Sequence, residues 1–209
     1  MSAPATVVLL PVKPLALGKS RLTQLPEAHR RDLAEAFARD TIAAALATPA
    51  VTAVLVVTDD HTFAADLAGE GCSVIPDGVS DDLNGTLLQA AREAGRRWPG
   101  CRVAALCADL PALSPTDLAA ALDATGHGDG PAYVRDVEGS GTTMYVAAEA
   151  DFLPRFGPGS AAAHEADGAR EIAGDLRTLR QDVDQVGDLS HALLLGVGPH
   201  TAAATGRRT

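Results

Sequence analysis

Short β-branched runs alternate with segments of helical periodicity through the first half of the chain. Residues 6–10 and 51–58 are almost entirely apolar, which is typical of parallel strands covered on both faces. Two further runs of this kind lie at residues 72–75 and 103–107. Helical segments separate the runs, so the order is βαβαβαβα. This order predicts an α/β fold whose doubly wound, mostly parallel sheet carries helices on both faces.

The helical segments have recognisable start signals. Pro26 precedes the helix predicted over residues 27–46, and Ser114 is placed to cap a helix that has Pro115 in its first turn. Another helix is predicted over residues 83–98. Asp60, which follows the second strand, is placed to cap a short helix.

The second half of the chain has a different pattern of residues. It predicts two strands, at residues 132–135 and 144–148, around a glycine-rich turn. A Gly/Pro loop, an alanine-rich helix, a short strand and a last helix near residues 189–195 follow. We find no internal repeat and no linker, so residues 1–195 are predicted to form one domain. Residues 196–209 are small and polar, and are predicted to form a flexible C-terminal tail.

Composition excludes several classes of protein. A chain of 209 residues and 21.3 kDa buries about 70% of its unfolded surface, which is enough for a hydrophobic core that needs no disulfide or metal to stabilise it. Its 17 basic and 27 acidic residues give a net charge of −10, which disfavours nucleic-acid binding. No run approaches the roughly 18 apolar residues of a membrane span. Three cysteines without a CxxC pair indicate thiols in a reducing compartment, so we expect a cytoplasmic protein.

The loop after the first strand concentrates positive charge. It carries Lys13, Lys19 and Arg21 together with Gly18, in a chain that is otherwise acidic. Cationic side chains and approachable backbone N–H groups bind polyphosphates, although an ordinary solvated loop is the alternative. The Gly-Lys-Ser string at 18–20 is not a P-loop, because Lys13 occupies the position of that motif's first glycine.

Carboxylates follow other predicted strands. Asp109 follows the fourth strand, and Asp182 and Asp184 follow a late short one. Because Mg²⁺ takes one or two protein carboxylates in addition to substrate phosphates, these residues predict a magnesium site. A helix cap or turn is the alternative for each, and it is the interpretation that we adopt for Asp59 and Asp60, which follow the second strand.

A third set of residues suits the binding of an anion. Gly157 and Gly159 precede Ser160, which is placed to cap the alanine-rich helix, and Thr142 adds a hydroxyl in the glycine-rich turn. The histidines lack zinc-ligand spacing, and we expect His164 to have a structural role only. The GxGxxG, HExxH and GxSxG motifs are absent.

Taken in order, these strings resemble one enzyme family. They are PVK at 11–13 with KSRL at 19–22, DLNG at 82–85, DLPAL at 109–113, GTT at 141–143, FGPGS at 156–160 with His164, and DVD at 182–184 with DL at 188–189. The chain resembles the 2-phospho-L-lactate or phosphoenolpyruvate guanylyltransferases of coenzyme F420 biosynthesis, a compact branch of the Rossmann-like nucleotide-diphospho-sugar transferases. The resemblance covers residues 6–195. It departs at 185–187, where the family usually has a more acidic or proline-containing linker.

The resemblance implies a reaction and its residues. The enzyme would transfer GMP from GTP to a small phosphorylated three-carbon acid, phosphoenolpyruvate or 2-phospho-L-lactate, release pyrophosphate, and hand its product to the next transferase of the pathway. Lys19 and Asp109 would be catalytic. The implied binding residues are Thr142, Gly157 and Ser160 for the acid; Lys13, Lys19 and Arg21 for the triphosphate; Asn84 near the nucleoside; and Asp109, Asp182 and Asp184 for Mg²⁺.

Two other functions remain open at this point. One is a related nucleotidyltransferase that uses another base or a sugar phosphate. The other is a non-catalytic nucleotide-binding relative, against which the joint presence of Lys19, Asp109, Asp182 and Asp184 argues.

Overall fold

A computed structural model of the chain describes residues 5–13, 25–67, 69–79, 81–126 and 129–206. Within these residues one seven-stranded sheet has the order β3-β2-β1-β4-β6-β5-β7. Its strands are β1 (Thr6–Pro11), β2 (Ala53–Val57), β3 (Ser73–Ile75), β4 (Arg102–Leu106), β5 (Ala132–Arg135), β6 (Thr142–Ala148) and β7 (Arg170–Glu171).

Eight helices of the described residues connect and flank these strands. They are α1 (Glu27–Leu46), α2 (His61–Leu67), α3 (Leu83–Arg97), α4 (Pro115–Asp123), α5 (Ser160–Ala166), α6 (Arg177–Arg180), α7 (Val186–Leu195) and α8 (Pro199–Ala204). The βαβαβαβα order and the α/β fold predicted from the sequence are confirmed.

The pairing of the strands makes the sheet mostly parallel. β1 pairs in parallel with β2 and β4, β2 with β3, and β5 with β7. Only β6 runs against its neighbours in the described sheet, pairing antiparallel with both β4 and β5.

Alternating side chains of the strands build a core on each face of the sheet. Val8 and Leu10 of β1 pack with residues of α1, α2 and α4, whereas Val7 and Leu9 pack with residues of α3 and α5. All four side chains are fully buried. This two-residue period explains why β1 is apolar throughout, because each of its faces meets a helical layer.

The order of the strands fixes the position of the functional cleft. From β1 the chain builds outward to β2 and β3, and then returns to β4 on the other side of β1. Ligands of open α/β sheets bind at such a switch point, outside the carboxyl ends of the strands. Because β6 is antiparallel to β4, the first residues of β6 also reach this edge.

The predicted caps of two helices are confirmed. The Ser114 side chain accepts a hydrogen bond from the Asp117 N–H, with Pro115 as the first helical residue of α4. Asp60 accepts one from the Phe63 N–H at the start of α2, at 3.0 Å.

The prediction of a flexible tail over residues 196–209 is wrong for residues 196–206. α8 packs against α1, and the buried Asp40 carboxylate of α1 accepts hydrogen bonds from the backbone N–H groups of His200 and Thr201. The Gly198 N–H also donates to the Pro111 carbonyl, at 2.9 Å. These contacts hold a segment whose own sequence is small and polar. Residues 207–209 lie outside the described part.

In the described residues, no helix has both the length and the apolar character that a membrane crossing requires.

Candidate active site

A cleft of about 690 Å³ opens at the switch point, beside the ends of β1 and β4. It brings together most of the site residues predicted from the sequence, namely Lys13, Asp109, Thr142, Gly157, Ser160, Asp182 and Asp184. These residues come from five separate stretches of chain. Lys19 and Arg21 lie outside the described residues.

Backbone and hydroxyl hydrogen bonds hold Asp109 at the end of β4. The Thr41 hydroxyl of α1 donates to the Phe37 carbonyl and accepts from the Leu110 N–H, at 3.1 Å. The Val183 N–H donates to the Asp109 carbonyl at 3.1 Å. The segment at residues 182–184 is thereby held beside that of Asp109, and all three aspartates line the cleft.

The segment that carries Asp182 and Asp184 differs from the prediction. The sequence suggested a short strand directly before it, whereas the structure has the one-turn helix α6 there, and the strand β7 ends earlier, at Glu171. Asp188 of α7 fixes the far end of the segment, because its carboxylate accepts from the N–H groups of Asp184 and Gln185.

The glycine-rich turn between β5 and β6 forms one rim of the cleft. The Asp136 carboxylate closes the turn by accepting from the N–H groups of Ser140 and Gly141, at 3.0 and 2.8 Å. The Ser140 carbonyl accepts from the Ala161 N–H. The rim is therefore tied to the first turn of α5.

Asn84 of α3 holds the loop at residues 156–160. Its amide nitrogen donates to the Phe156 carbonyl at 3.0 Å, and its amide oxygen accepts from the Phe156 N–H at 2.8 Å. Asn84 is absent from the cleft lining, whereas its neighbours Leu83 and Leu87 contribute to it. Both polar ends of the Asn84 side chain thus serve the loop.

The same loop requires glycine at two positions. Gly157 has φ of 134° and Gly159 has φ of 72°, a region that other residues rarely adopt. Gly159 is also the N-cap of α5, and Ser160 is the first helical residue. The prediction that Ser160 caps this helix is wrong, because the left-handed turn at Gly159 already provides the boundary. The Ser160 side chain is buried at the edge of the cleft.

His164 of α5 lies behind the hydroxyl of Thr142. Its Nδ1 is 3.0 Å from Thr142 Oγ1, and its Nε2 accepts from the Arg155 N–H at 2.9 Å. The ring stacks on Tyr133 and Tyr145 and meets the edge of Phe156. Burial lowers the pKa of His164 to about 4, so the ring is neutral near pH 7.

Comparison with known proteins gives the family. The model of the guanylyl transferase CofC-like family matches residues 6–203. A phosphoenolpyruvate guanylyltransferase of Thermomonospora curvata is 48% identical over 202 residues, which cover 96% of this chain and 88% of that protein. The enzyme of the same name from Geodermatophilus obscurus is 48% identical over 206 residues, covering 95% and 93%.

The chain belongs to the CofC-like guanylyl transferase family.

Solved structures support the fold of this CofC-like chain. A protein named as a nucleotide-diphospho-sugar transferase of Desulfovibrio desulfuricans superposes with a TM-score of 0.69 at 17% identity, over 90% of this chain and 85% of that one. A nucleotidyl transferase of Methanothermobacter gives 0.64 at 20% identity, over 92% and 99%. The predicted family resemblance, the transferase-like fold and the guanylyltransferase class are therefore confirmed.

The charge in the cleft of this guanylyl transferase is mostly negative. The described lining residues include five carboxylates and one ammonium group; they are Asp109, Asp136, Glu138, Asp182 and Asp184, and Lys13. Such a site repels a nucleoside triphosphate unless a cation intervenes. Within the described residues, no three His, Cys, Asp or Glu side chains could hold a metal ion by themselves. This donor set fits Mg²⁺, because Mg²⁺ needs only one or two carboxylates when phosphates and water complete its shell.

Sequence reasoning missed several residues of the CofC-like cleft. Asp136 and Ser140 carried a usable signal, because they flank a glycine-rich turn after a strand that ends at the same edge of the sheet. No sequence pattern marked the apolar residues that line the cleft, which are Leu83 and Leu87 of α3 and Ala38 of α1. They are ordinary apolar residues of helices.

Proposed function

We propose that this protein transfers the GMP unit of GTP to phosphoenolpyruvate, with 2-phospho-L-lactate as the alternative acid, in coenzyme F420 biosynthesis. The observation that carries the proposal is the set of residues that line the cleft. Hydroxyl groups and a glycine loop line it together with carboxylates suited to Mg²⁺. A site of this kind can bring two phosphorylated substrates together.

The hydroxyl groups and the glycine loop suit the acid. Thr142 and Ser160 are nearly buried and both border the cleft, so their hydroxyls can donate to phosphate or carboxylate oxygens. Gly157 has no side chain to keep such a ligand from the backbone of the loop. We assign the binding of the acid to these three residues.

The carboxylates suit the triphosphate. Among Asp109, Asp182 and Asp184 we assign Mg²⁺ binding to Asp109 together with one of the other two, whose segment the Val183–Asp109 backbone hydrogen bond ties to that of Asp109. When bound, Mg²⁺ supplies positive charge to the triphosphate and to the departing pyrophosphate. Lys13, just after β1, adds a further cation to the cleft, and we expect Lys19 and Arg21 to do the same.

The transfer is a single displacement at phosphorus. A phosphate oxygen of the acid forms a bond with the α-phosphorus of GTP, and the bond from that phosphorus to the oxygen bridging the β-phosphate breaks. Pyrophosphate leaves with the electron pair. The attacking oxygen is already anionic, so the protein has to position two anions in line and neutralise their charge rather than remove a proton.

The surroundings of His164 agree with a reaction that needs no general base. His164 contacts Thr142 of the proposed acid site, and it is fully buried with Nε2 engaged by a backbone N–H. Its pKa of about 4 also makes it a poor proton acceptor near pH 7.

We place the reaction in the cytoplasm and expect the product to pass to a second transferase. The three cysteines, all of them in the described part of the chain, form no disulfide, which is usual in a reducing compartment. A guanosine diphosphate ester of a three-carbon acid contains a high-energy diphosphate bond, so its consumer is a reaction that transfers the activated phosphoacid unit and releases GMP.

Release of pyrophosphate tests the proposal. Purified protein is incubated with GTP, Mg²⁺ and one of three acids, phosphoenolpyruvate, 2-phospho-L-lactate or a phosphoglycerate, with CTP and ATP in place of GTP as controls. We expect release only when GTP and one acid are both present. Release with CTP or a sugar phosphate instead would assign the protein to a related transferase, and GTP binding without release would make it a non-catalytic relative.

A further inference from the structure

Thr142 and the Arg155–Phe156 segment lie on opposite sides of one buried ring. His164 has no exposed surface, and its two nitrogens contact Thr142 Oγ1 at 3.0 Å and the Arg155 N–H at 2.9 Å. Tyr145 stacks on the ring with centroids 4.5 Å apart. The ring therefore joins the strand that carries one proposed ligand of the acid to the loop that carries the others.

The partner of Nε2 decides where the ring carries its hydrogen. A backbone N–H can only donate, so Nε2 of His164 accepts from Arg155 and has no hydrogen of its own. A neutral imidazole then carries its hydrogen on Nδ1. A protonated ring would present a second N–H to that of Arg155, and the contact would be lost.

The hydrogen on Nδ1 determines what Thr142 can do. Because Nδ1 bears a hydrogen, the Thr142 hydroxyl cannot donate to it. The Nδ1 hydrogen has two acceptors, the Thr142 oxygen and the backbone carbonyl of Ser160, which also hydrogen-bonds to the ring. The hydroxyl's own hydrogen is then left for another acceptor, and Thr142 borders the cleft. An anionic ligand in the cleft offers such an acceptor.

We infer that His164 is a positioning residue, which is locked by the Arg155 N–H into the Nδ1–H form and thereby commits the Thr142 hydroxyl to donate to the acid substrate. This inference rests on the proposed function, since it takes the acid to bind at Thr142. It adds a residue that acts through Thr142 and that touches neither substrate.

The position of the hydrogen on the His164 ring can be tested without measuring enzyme activity. A long-range ¹H–¹⁵N correlation spectrum of the wild-type protein, with ¹⁵N-labelled histidine, reports which ring nitrogen bears the hydrogen. The signals of His164 are the ones that disappear in the spectrum of His164→Gln. We expect a protonated Nδ1 and an unprotonated Nε2 near pH 7. A hydrogen on Nε2, or on both nitrogens, would overturn the inference.

Kinetics test the connection to Thr142 through four proteins, the wild type, His164→Gln, Thr142→Val and the double variant. Each single change should raise the KM of the acid by about tenfold or more, the effect of one lost hydrogen bond to a charged group, and leave the KM of GTP nearly unchanged. The double variant should be no worse than Thr142→Val, because the ring acts through that hydroxyl. His164→Asn, which can place an amide N–H near the position of Nδ1, should recover part of the loss.

The outcomes separate the two claims. Additive effects, or an equal rise in the KM of GTP, would give His164 a purely structural role and overturn the inference. A wild-type protein without guanylyl transfer to any acid would overturn the proposed function and with it the assigned acid. In that case the NMR spectrum would still decide the state of the ring. If His164→Gln failed to fold, the His164 signals would be assigned in the wild-type protein from the contacts of the ring with Tyr133 and Tyr145.

Discussion

Asp109 is the single residue on which the proposed metal chemistry most depends, because it lies just beyond the end of the central strand β4 and lines the cleft. Asp109→Asn keeps the size of the side chain and removes its charge. We expect it to lose most of the turnover, since an amide is a poor substitute for a carboxylate that holds Mg²⁺, and to stay folded. Asp175→Asn is the matched control, because Asp175 lies outside the cleft in an exposed pair with Arg177. Turnover of Asp109→Asn equal to that of the control would remove Asp109 from the metal site.

Ser160 provides a residue-scale test of the acid site. Ser160→Ala removes the hydroxyl and leaves the cap of α5 intact, because Gly159 forms that cap. We expect the KM of the acid to rise by more than that of GTP, with little change in stability. Ser190→Ala on the exposed face of α7 serves as the control. Equal increases in the two KM values would argue against the assignment of Ser160 to the acid.

The low pKa of His164 predicts how the free energy of unfolding changes with pH. Its pKa is about 4 in the folded protein, mainly because of burial, against about 6.5 when unfolded. The charged groups acting on it are Asp167, which raises the pKa, and Arg155, which lowers it, while Tyr133 and Tyr145 face it as neutral rings.

The unfolded chain therefore binds more protons than the folded one between pH 6.5 and 4. The free energy of unfolding should be highest above pH 6.5 and should fall as the pH drops toward 4, by about 3 kcal/mol from this group. Urea unfolding across this range checks the prediction. His164→Gln should show a weaker pH dependence than the wild type, and an identical dependence would contradict the account.

Position at a strand end is what made single site residues predictable. Lys13 and Asp109 follow apolar runs, and parallel strands bring their carboxyl ends to one edge, so these residues could be found without the fold. Asn84 and His164 could not be placed in the same way. The Phe156 partner of Asn84 lies 72 residues away in the sequence, and no local pattern reports such a pairing.

At the scale of helices and strands, periodicity and caps carried the prediction. The four strands of the first half lie where the apolar runs indicated, and α4 begins at its predicted cap. Periodicity did not predict α8, because its alanine and threonine residues have the composition of a flexible chain end. Its order comes from the buried carboxylate of Asp40, 160 residues earlier in the chain.

Asp40 makes the order of this C-terminal element testable. Asp40→Ala leaves the N–H groups of His200 and Thr201 without their acceptor. We expect the free energy of unfolding to fall by about 2 kcal/mol or more. Asp32→Ala, at an exposed position of the same helix, should change it little. Equal urea midpoints for the two variants would mean that the hydrogen bonds from Asp40 to α8 contribute nothing to the stability of the fold.

At the scale of the whole molecule, the acidic character and the proposed reaction fit together through the cleft. A chain with a net charge of −10 has to bind two anionic substrates, so it requires a cation and local donors at the place where they meet. The sheet supplies that place at its switch point. Thr142 reaches it because β6 runs antiparallel to β4 and begins at the edge where β4 ends.

The structure of the reaction product tests the account's central claim most directly. The protein is incubated with GTP, Mg²⁺ and phosphoenolpyruvate, and the mixture is examined by ³¹P NMR. We predict a new pair of mutually coupled phosphorus signals, from an unsymmetrical diphosphate that joins guanosine to the acid, together with an equal amount of pyrophosphate. Hydrolysis of GTP without the coupled pair, or GTP left unchanged beside every acid, would contradict the account.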